Sequence, residues 1–268
     1  MKGRVLIVAG SDSGGGAGIQ ADIKTVTALG GFAATAITAL TAQDTTGVHG
    51  VHLVPIDFIR QQMQVVLGDI GADCIKTGML HSSEVIEAVT DVIERNAAGI
   101  PVVVDPVMVA KGGAALLDPD ATTALKSRIL KAASVITPNL PEAEVLIGMT
   151  IENLDDMTRA GDALLEMGAR AAIIKGGHLP GAKVHDLLVT PNGNEVFSAP
   201  RMDTKHTHGT GCTMASALAT GLAQGMTLRN SLARAQSYVH DAIRNAPGIG
   251  SGHGPIAHGH TVKPYMTP

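Results

Sequence analysis

The sequence predicts an α/β protein with a central, mostly parallel sheet and helices on both of its faces. Short apolar runs rich in β-branched residues recur along the chain, and helical patterns separate most of them. Such alternation is typical of right-handed βαβ units. An Asn-Gly pair joins the last two runs, which is typical of a hairpin. The sheet is therefore expected to have an antiparallel edge.

The predicted strands are apolar segments, and several lack the polar alternation of a half-exposed strand. They are VLIVAG from Val5, AATAIT from Ala33, CIKTGM from Cys74, PVVVDP from Pro101, SVITPN from Ser134, AAIIKGG from Ala171, DLLVT from Asp186 and EVFSA from Glu195. Continuous apolar runs of this length are expected for strands that are buried on both faces.

The predicted helices lie between and after these strands. Their segments are GIQADIKTVTAL, PIDFIRQQMQVVL, SSEVIEAVTDVIERNA, DATTALKSRIL, MTRAGDALLEMG, GCTMASALATGLAQG and LRNSLARAQSYVHDAIRNA. No linker, charge run or internal repeat divides the chain. We therefore predict a single domain over residues 1–268, with a loop-like tail after Gly248.

The composition of the chain argues against two classes of binding partner, nucleic acids and membranes. The chain has 268 residues, of which 45% are hydrophobic and 2% aromatic, and a formal net charge of −4. Proteins that bind nucleic acids usually have basic surfaces and stacking aromatic side chains, so no nucleic-acid partner is expected. No apolar run reaches the length of a membrane span, so no membrane partner is expected. Without an evident signal peptide, Cys74 and Cys212 are expected to be free thiols of a cytoplasmic protein.

A glycine-rich helix start is the first candidate site. Gly209, Thr210, Gly211 and Cys212 lead directly into a helical pattern. Free backbone N–H groups and the positive end of the helix dipole favour an anion at such a position, and glycine lets the anion approach the backbone. A thiol in the first helical turn is expected to have a lowered pKa. An ordinary helix start without a ligand is the alternative.

A second glycine cluster, GSDSGGGAGIQAD, follows the first predicted strand. Its Gly16-x-Gly18-x-x-Ala21 spacing resembles a dinucleotide fingerprint, but no acidic residue ends the next strand, near Ala39, to bind a ribose. An NAD-dependent dehydrogenase would need that acid. The cluster is better interpreted as a flexible loop or as a loop that covers a substrate. A Walker-type phosphate loop is not expected, because the sequence contains no G-x-x-x-x-G-K-[ST].

Seven segments together resemble a known family. They are AGSDSGGGAGIQADIKT, TALTAQDTTGV, KTGML, DPVMVAKGG, TPNLPEAE, IKGGH and KHTHGTGCT. In this order they resemble the hydroxymethylpyrimidine/phosphomethylpyrimidine kinases, a thiamin-pathway family of the ribokinase-like superfamily. The resemblance runs from about Val5 to His240. It implies a ribokinase-like fold, ATP and Mg²⁺ as cofactors, an aminopyrimidine substrate and a homodimer.

The resemblance also implies roles in phosphoryl transfer. The transferred group would bind to the backbone N–H groups of Gly209 to Cys212, and Cys212 would act as the base on the hydroxymethyl group. Sugar kinases of the superfamily have aspartate here, whereas the vitamin-kinase branch has cysteine. Lys175, which ends a strand before two glycines, would contact the ATP phosphates as a point charge. The alternatives are a small packing residue for Cys212 and a surface lysine for Lys175.

Two further residues form a candidate metal site. Asn139 and Glu142 lie three positions apart across a helix start, and therefore on one face. The Asn-x-x-Glu pattern resembles the superfamily's magnesium-associated motif, in which Glu142 would act through water on Mg²⁺ and Asn139 would lie on the phosphate side. A helix cap made by the same pair is the alternative, and both can hold together. Asp105 is a further candidate on the metal or phosphate side.

The resemblance places the pyrimidine against Gln43, whose amide can both donate to and accept from an aminopyrimidine. Gly10, Met79 and Val107 would line that pocket. Asp22, in the helix after the glycine-rich loop, is a further substrate-binding candidate that could instead be solvated.

Taken together, these assignments predict ATP-dependent phosphorylation of 4-amino-5-hydroxymethyl-2-methylpyrimidine to its monophosphate and then to the diphosphate, for thiamin synthesis. The alternatives are a pyridoxal or pyridoxine kinase of the same branch and a nucleotide-binding protein without catalysis. Two histidine pairs, His206-x-His208 and His258-x-His260, could suggest zinc. Neither pair has a cysteine or carboxylate set to complete a site, so we interpret them as loop histidines.

Overall fold

The computed structural model describes residues 2–110, 113–118, 120–263 and 265. Across these residues one nine-stranded sheet has the strand order β3-β2-β1-β4-β5-β6-β7-β8-β9. The strands are β1 (Arg4–Asp12), β2 (Phe32–Gln43), β3 (Val48–Leu53), β4 (Cys74–Thr77), β5 (Val102–Val104), β6 (Val135–Ile136), β7 (Ala172–Lys175), β8 (Lys183–Thr190) and β9 (Gly193–Pro200).

The sheet is parallel in its centre and antiparallel at both ends. Parallel pairing runs from β2 through β1, β4, β5 and β6 to β7. β8 pairs antiparallel with β7 and β9, and Thr190 lies opposite Gly193 across the predicted hairpin turn. This confirms the mostly parallel sheet with an antiparallel edge. The other antiparallel edge, formed by β3 against β2, was not predicted, because VHGVHL contains a glycine and two histidines and is mostly exposed.

Most helices follow the predicted helical segments. The helices are α1 (Gly18–Ala28), α2 (Ile56–Asp69), α3 (Ser83–Asn96), α4 (Ala121–Ala124), α5 (Leu130–Ala132), α6 (Leu140–Ile147), α7 (Leu154–Glu166), α8 (Thr210–Ala223) and α9 (Leu228–Arg244). However, α6 was expected only as a helix start at Asn139, and the single segment DATTALKSRIL forms α4, a π-helical turn (Leu125–Ile129) and α5. The described residues after Gly248 form no regular helix or strand, as predicted.

Both faces of the sheet are covered by helices, which the strand β1 illustrates. Leu6 and Val8 pack into the apolar layer beneath α2, α3 and α7, whereas Val5 and Ile7 pack into the opposite layer beneath α1, α8 and α9. All four side chains are fully buried. Burial of each stabilises the fold by about 1.5–3 kcal/mol, which is why a run without polar alternation forms a central strand.

This topology brings the predicted site residues to one edge of the sheet. The carboxyl ends of parallel strands lie at the same edge, and the loops that leave them form a crevice there. The prediction that the chain is a single domain stays a prediction. Among the described residues, no helix is both long and apolar enough to cross a membrane.

Candidate active site

A cavity of about 910 Å³ lies at this edge of the sheet. Its lining includes all of the predicted site residues except Asp22: Gly10, Gln43, Met79, Asp105, Val107, Asn139, Glu142, Lys175 and Gly209 to Cys212. Residues from the ends of β1, β2 and β7, from the loops after β4 and β5, and from the starts of α6 and α8 therefore meet in one space. Their individual roles in binding and catalysis stay predictions.

The helix start at α8 depends on two glycines for different reasons. Gly209 has a φ of +84°, and a Cβ there would lie 1.8 Å from the carbonyl oxygen of Gly16. A Cβ at Gly211 would lie 3.3 Å from Nζ of Lys175. Gly209 therefore lets the helix start pack against the loop after β1, whereas Gly211 keeps space beside a charged side chain. Thr210 closes the turn by donating its hydroxyl to the Thr207 carbonyl.

Cys212 is half-buried at this helix start, and both cysteines are free thiols, as predicted. Burial raises the pKa of the Cys212 thiol to about 12. The positive charge of Lys76 and the N–H of Gly18 act to lower this pKa, whereas the nearby carboxylates of Asp22 and Asp105 raise it. The prediction of a lowered thiol pKa is therefore wrong. Loss of water around the sulfur outweighs the field of the helix start, so the thiol is neutral near pH 7.

Lys175 and Asp105 form an ion pair beside the helix start. Nζ of Lys175 lies 3.0 Å from Oδ1 of Asp105, which also accepts from the Thr137 hydroxyl. Although burial opposes it, the carboxylates of Asp105 and Glu142 raise the pKa of Lys175. The lysine is therefore a fixed positive charge on the cavity wall.

Asn139 and Glu142 form the capping box at the start of α6. The Glu142 backbone N–H donates to Oδ1 of Asn139 over 3.0 Å, and the Asn139 backbone N–H donates to Oε2 of Glu142 over 2.8 Å. Burial, together with the charge of Asp105, raises the pKa of Glu142 to about 7, and Lys175 opposes this. The capping alternative is confirmed, and the second oxygen of Glu142 is free of this cap.

The prediction that Asp22 binds substrate is corrected by its position. Asp22 is fully buried in α1 behind the cavity wall. Its carboxylate accepts from Nζ of Lys76 at 2.9 Å and from the Ser216 hydroxyl at 2.7 Å. Lys76 is itself fully buried, and although burial opposes it, the charge of Asp22 raises its pKa. Asp22 is therefore the partner of a buried lysine that the sequence analysis missed.

The pyrimidine-side residues pack as a close group. A Cβ at Gly10 would lie 2.7 Å from Cε of Met79, so a side chain at this position would displace the end of that methionine. Gln43 ends β2 and is half-buried, with its amide nitrogen 3.3 Å from Nε2 of His208. His208 lies in a loop, as predicted, but it is buried and contacts Asp12. Neither Asp12 nor His208 was predicted to belong to the site.

The other end of the cavity is mainly apolar. Val184, Met202, Val239 and Ile243 line it, together with Asp186, Gln236 and His240. Asp186 accepts from the Gly176 N–H and from the Gln236 amide, both at 3.2 Å. The sequence analysis missed this end, because its residues come from β8, from the segment after β9 and from α9, and form no contiguous motif.

The chain is similar to known proteins over nearly its whole length. Residues 12–257 match the family model described as phosphomethylpyrimidine kinase. The chain belongs to the phosphomethylpyrimidine kinase family. It is 48% identical to the hydroxymethylpyrimidine/phosphomethylpyrimidine kinase of Bacillus subtilis, over 95% of this chain and 94% of that protein. It is 51% identical to the thiamine biosynthesis bifunctional protein ThiED of Geobacter sulfurreducens, over 96% of this chain but only 52% of that protein.

Solved structures of phosphomethylpyrimidine kinases and pyridoxal kinases share the fold. The phosphomethylpyrimidine kinase of Clostridium difficile has a TM-score of 0.81 and 39% identity, over 90% of this chain and all of that one. An ADP complex of Bacillus subtilis pyridoxal kinase has a TM-score of 0.90 and 37% identity, over 96% and 98% of the two chains. The predicted ribokinase-like fold and the family resemblance are confirmed, and the chain belongs to a family of phosphotransferases.

Proposed function

We propose that this protein transfers the γ-phosphoryl group of ATP to 4-amino-5-hydroxymethyl-2-methylpyrimidine, and then a second phosphoryl group to the monophosphate. One observation carries the proposal. The helix start at Gly209 to Cys212 lies in the same cavity as Lys175 and the amide of Gln43. An anion site, a phosphate-binding charge and a group able to read an aminopyrimidine are thus within one site. Family membership supports the same reaction.

The apolar end of the cavity fits the nucleoside of ATP. Val184, Met202 and Val239 would contact the base, and Lys175, between this end and the helix start, would contact the phosphates. Solved structures of pyridoxal kinases from Bacillus subtilis and Staphylococcus aureus contain ADP or AMP-PCP, which supports a nucleotide site in this fold.

The residues around Glu142 fit a magnesium ion that is held largely by phosphate and water. No group of three or more His, Cys, Asp or Glu side chains among the described residues could hold a metal alone. Mg²⁺ typically uses one or two carboxylates and completes its shell with waters and substrate phosphates. Glu142 and Asp105 are buried carboxylates beside one lysine, so a cation there would offset their excess negative charge. Bound Mg²⁺ would neutralise charge on the ATP phosphates.

In the proposed reaction the hydroxymethyl oxygen forms the new P–O bond, and the bond to ADP breaks. The N–H groups of Gly211 and Cys212 would stabilise the migrating group, since a helix start supplies donors aimed at an anion. The proton of the hydroxyl must leave, and Cys212 lies where it can be taken up. Because the thiol is neutral at rest, its own proton would first pass to water in the cavity that Cys212 lines. The charge of Lys76 and the Gly18 N–H favour the thiolate that remains.

A pyridoxal kinase is a second candidate function. Pyridoxal kinases of Staphylococcus aureus share the fold with TM-scores of 0.89–0.90 and 35–36% identity. One of them is a complex with AMP-PCP and pyridoxal. A six-membered ring that carries a hydroxymethyl group would therefore fit a cavity of this kind.

Incubation of the purified protein with MgATP and each alcohol tests the proposed function. We expect the aminopyrimidine to give a monophosphate and then a diphosphate, and pyridoxal to give a slower reaction. Products are followed by phosphorus NMR or mass spectrometry. Phosphorylation of pyridoxal alone would favour the second candidate, and no product with either alcohol would contradict both.

Cys212→Ala tests the proton transfer. We expect kcat for the aminopyrimidine to fall by about 10²–10⁴, the range typical of a lost general base, with KM for ATP little changed. Cys74→Ala is the matched control, because Cys74 is a buried thiol in β4 away from the cavity lining. Equal turnover by the two variants would contradict a catalytic role for Cys212.

We also propose that two copies of the chain associate. β3 is an edge strand of the sheet with Val51 and Leu53 exposed, and the unpaired backbone groups of an exposed edge strand favour pairing with another chain. Sedimentation at micromolar protein concentration should give twice the mass of the chain. The cytoplasmic location that the sequence analysis expects stays a prediction.

A further inference from the structure

Four polar side chains lie in a continuous series of short contacts along the pyrimidine side of the cavity. Oδ2 of Asp12 lies 2.9 Å from Nε2 of His208, and that nitrogen lies 3.3 Å from the amide nitrogen of Gln43. The amide oxygen of Gln43 lies 3.1 Å from Oγ of Thr41. Asp12, Thr41, Gln43 and His208 all line the cavity, and Asp12, Thr41 and His208 are buried.

Asp12 determines which nitrogen of His208 carries a hydrogen. The carboxylate accepts the backbone N–H groups of Gly14, Gly16 and Ala17 at 2.8–3.0 Å. Burial acts to raise the pKa of Asp12, but the hydrogen bonds from His208 and from the backbone lower it by more. The pKa of Asp12 is therefore lower than that of an ordinary aspartate. An ionised carboxylate only accepts hydrogen bonds. Nε2 of His208 must therefore be a donor.

The amide of Gln43 has one orientation that satisfies both of its neighbours. Its nitrogen cannot bond to Nε2 of His208, because both are donors. The Thr41 hydroxyl lies 3.0 Å from the Ser11 carbonyl oxygen, which can accept its hydrogen. Thr41 is then free to accept from an amide N–H. A half-turn of the amide about its last side-chain bond places nitrogen toward Thr41 and oxygen toward His208, where the oxygen shares the single Nε2–H hydrogen with Asp12.

We propose that His208, held by Asp12, fixes the orientation of the Gln43 amide and thereby selects the hydrogen-bonding edge of the substrate ring. The inference rests on the proposed function and adds a positioning residue to it. With one N–H bonded to Thr41 and one oxygen lone pair bonded to His208, the amide presents its other N–H and lone pair to the cavity. An aminopyrimidine has the matching pair, a ring nitrogen that accepts beside an amino group that donates.

The order of donor and acceptor also determines the direction of the ring. If the amide turned over, the same ring edge would match only with the ring turned over as well, and its hydroxymethyl group would point elsewhere. A fixed amide therefore aims the reacting oxygen in one direction. Alignment of this kind raises the rate of phosphoryl transfer by a large factor, because the reacting atoms must be held close together.

The position of His208 is fixed by contacts on several sides. Its ring packs on Gly16, where a Cβ would lie 2.4 Å from Cδ2 of the ring. Its backbone N–H donates to the Gly254 carbonyl at 3.1 Å, and its carbonyl accepts from Ile256. The ring therefore has little freedom to release the amide of Gln43.

A pair of substrates that differ only in this edge tests the inference. The first is the proposed aminopyrimidine. The second is 5-hydroxymethyl-2-methylpyrimidin-4-one, in which a ring N–H and a carbonyl exchange donor and acceptor. We expect the wild-type protein to prefer the amino compound by at least about 100-fold in kcat/KM, as sites that read polar groups do. Calorimetry without ATP should show the same preference in binding.

His208→Phe and Thr41→Val each remove one partner of the amide, so we expect the preference to fall below about tenfold in both variants. Thr90→Val is the matched control, because Thr90 is a buried threonine whose hydroxyl donates to the Ile86 carbonyl of its own helix, α3. It should keep the wild-type preference. Thr41→Val keeps the test decisive if His208→Phe does not fold.

An undiminished preference in a folded His208→Phe or Thr41→Val protein would overturn the inference. Failure of the wild-type protein to phosphorylate the aminopyrimidine would instead contradict the proposed function. The calorimetric preference decides the orientation of Gln43 independently of that result.

Discussion

At the scale of single residues, the least expected feature is a buried ion pair behind Cys212. Lys76 and Asp22 are both fully buried and 2.9 Å apart. Replacing such a pair with apolar side chains often leaves stability unchanged or raises it, so packing alone does not explain it. The charge of Lys76 lowers the thiol pKa of Cys212 against a larger effect of burial. The charge of Asp22 raises the same pKa, so the favourable electrostatic role at the thiol belongs to Lys76, and Asp22 is the counter-charge that allows the lysine to be buried.

Lys76→Met should separate stability from this electrostatic role. The single change leaves Asp22 buried without its cation, so we expect the free energy of unfolding to fall by about 3–5 kcal/mol. Adding Asp22→Leu should recover most of that loss, because no charge then remains buried. We expect the double variant to stay much slower than wild type in phosphorylation. Urea unfolding and a kinase assay on both variants measure this, and wild-type turnover by the double variant would contradict the role.

At the scale of elements, the start of α8 is shaped by the loop after β1. Gly209 lies against the Gly16 carbonyl, and the carbonyl of Gly10 lies 2.4 Å from where a Cβ of Gly18 would be. The two glycine-rich segments of the sequence thus pack against each other. Their glycines serve close backbone contact as well as access for an anion. This contact holds Cys212 beside the first turn of α1.

Gly209→Ala should disturb this contact much more than a glycine of similar backbone conformation elsewhere. Gly225, after the end of α8, has a φ of +81° and open space around its Cβ position. We expect Gly225→Ala to lower the free energy of unfolding by about 1–2 kcal/mol, from backbone strain alone. Gly209→Ala should cost about 1–3 kcal/mol more, from overpacking, and weaken ATP binding. Chemical denaturation and calorimetry measure the two effects, and equal losses in the two variants would argue against the packing role.

At the scale of the whole molecule, the segment after α9 connects distant parts of the fold. The backbone N–H of His253 donates to the Thr45 carbonyl at 2.8 Å, and that of Ala257 donates to the Ala242 carbonyl at 2.9 Å. The backbone N–H of His208 donates to the Gly254 carbonyl. His258 is buried beneath α9, where the Tyr238 hydroxyl donates to its carbonyl. Burial, with the nearby charges of Lys24 and two histidines, lowers the pKa of His258 to about 4.

This buried histidine predicts a loss of stability in acid. As pH falls from about 6.5 to about 4, His258 takes up a proton in the unfolded chain but not in the folded one, so stability decreases. The loss reaches about 3 kcal/mol at most for this one group. His258→Leu should therefore flatten the pH dependence of the free energy of unfolding between pH 7.5 and 4.5. His185→Leu, at a half-buried position on β8, is the control, and the same slope in wild type and His258→Leu would refute the assignment.

Much of this protein follows from local sequence. The apolar runs and helical patterns predict all of the parallel strands and the main helices, because burial on both faces leaves a clear pattern. The motifs also place Cys212, Lys175 and Gln43 in one cavity. β3 escaped prediction, because an exposed edge strand has no apolar pattern to detect. The apolar end of the cavity was not predicted, because its residues are dispersed over three segments of the chain.

The sequence by itself determined the order of strands and helices, the glycine–cysteine helix start and the family. Only the tertiary structure decided the electrostatics of the site. It reversed the direction of the Cys212 pKa shift, placed Asp22 behind the wall rather than on it, and joined Asp12 to His208 across 196 positions of sequence. The reason is physical. Burial and charge pairing depend on neighbours that are distant in the chain, whereas helix and strand patterns depend on neighbours that are close in it.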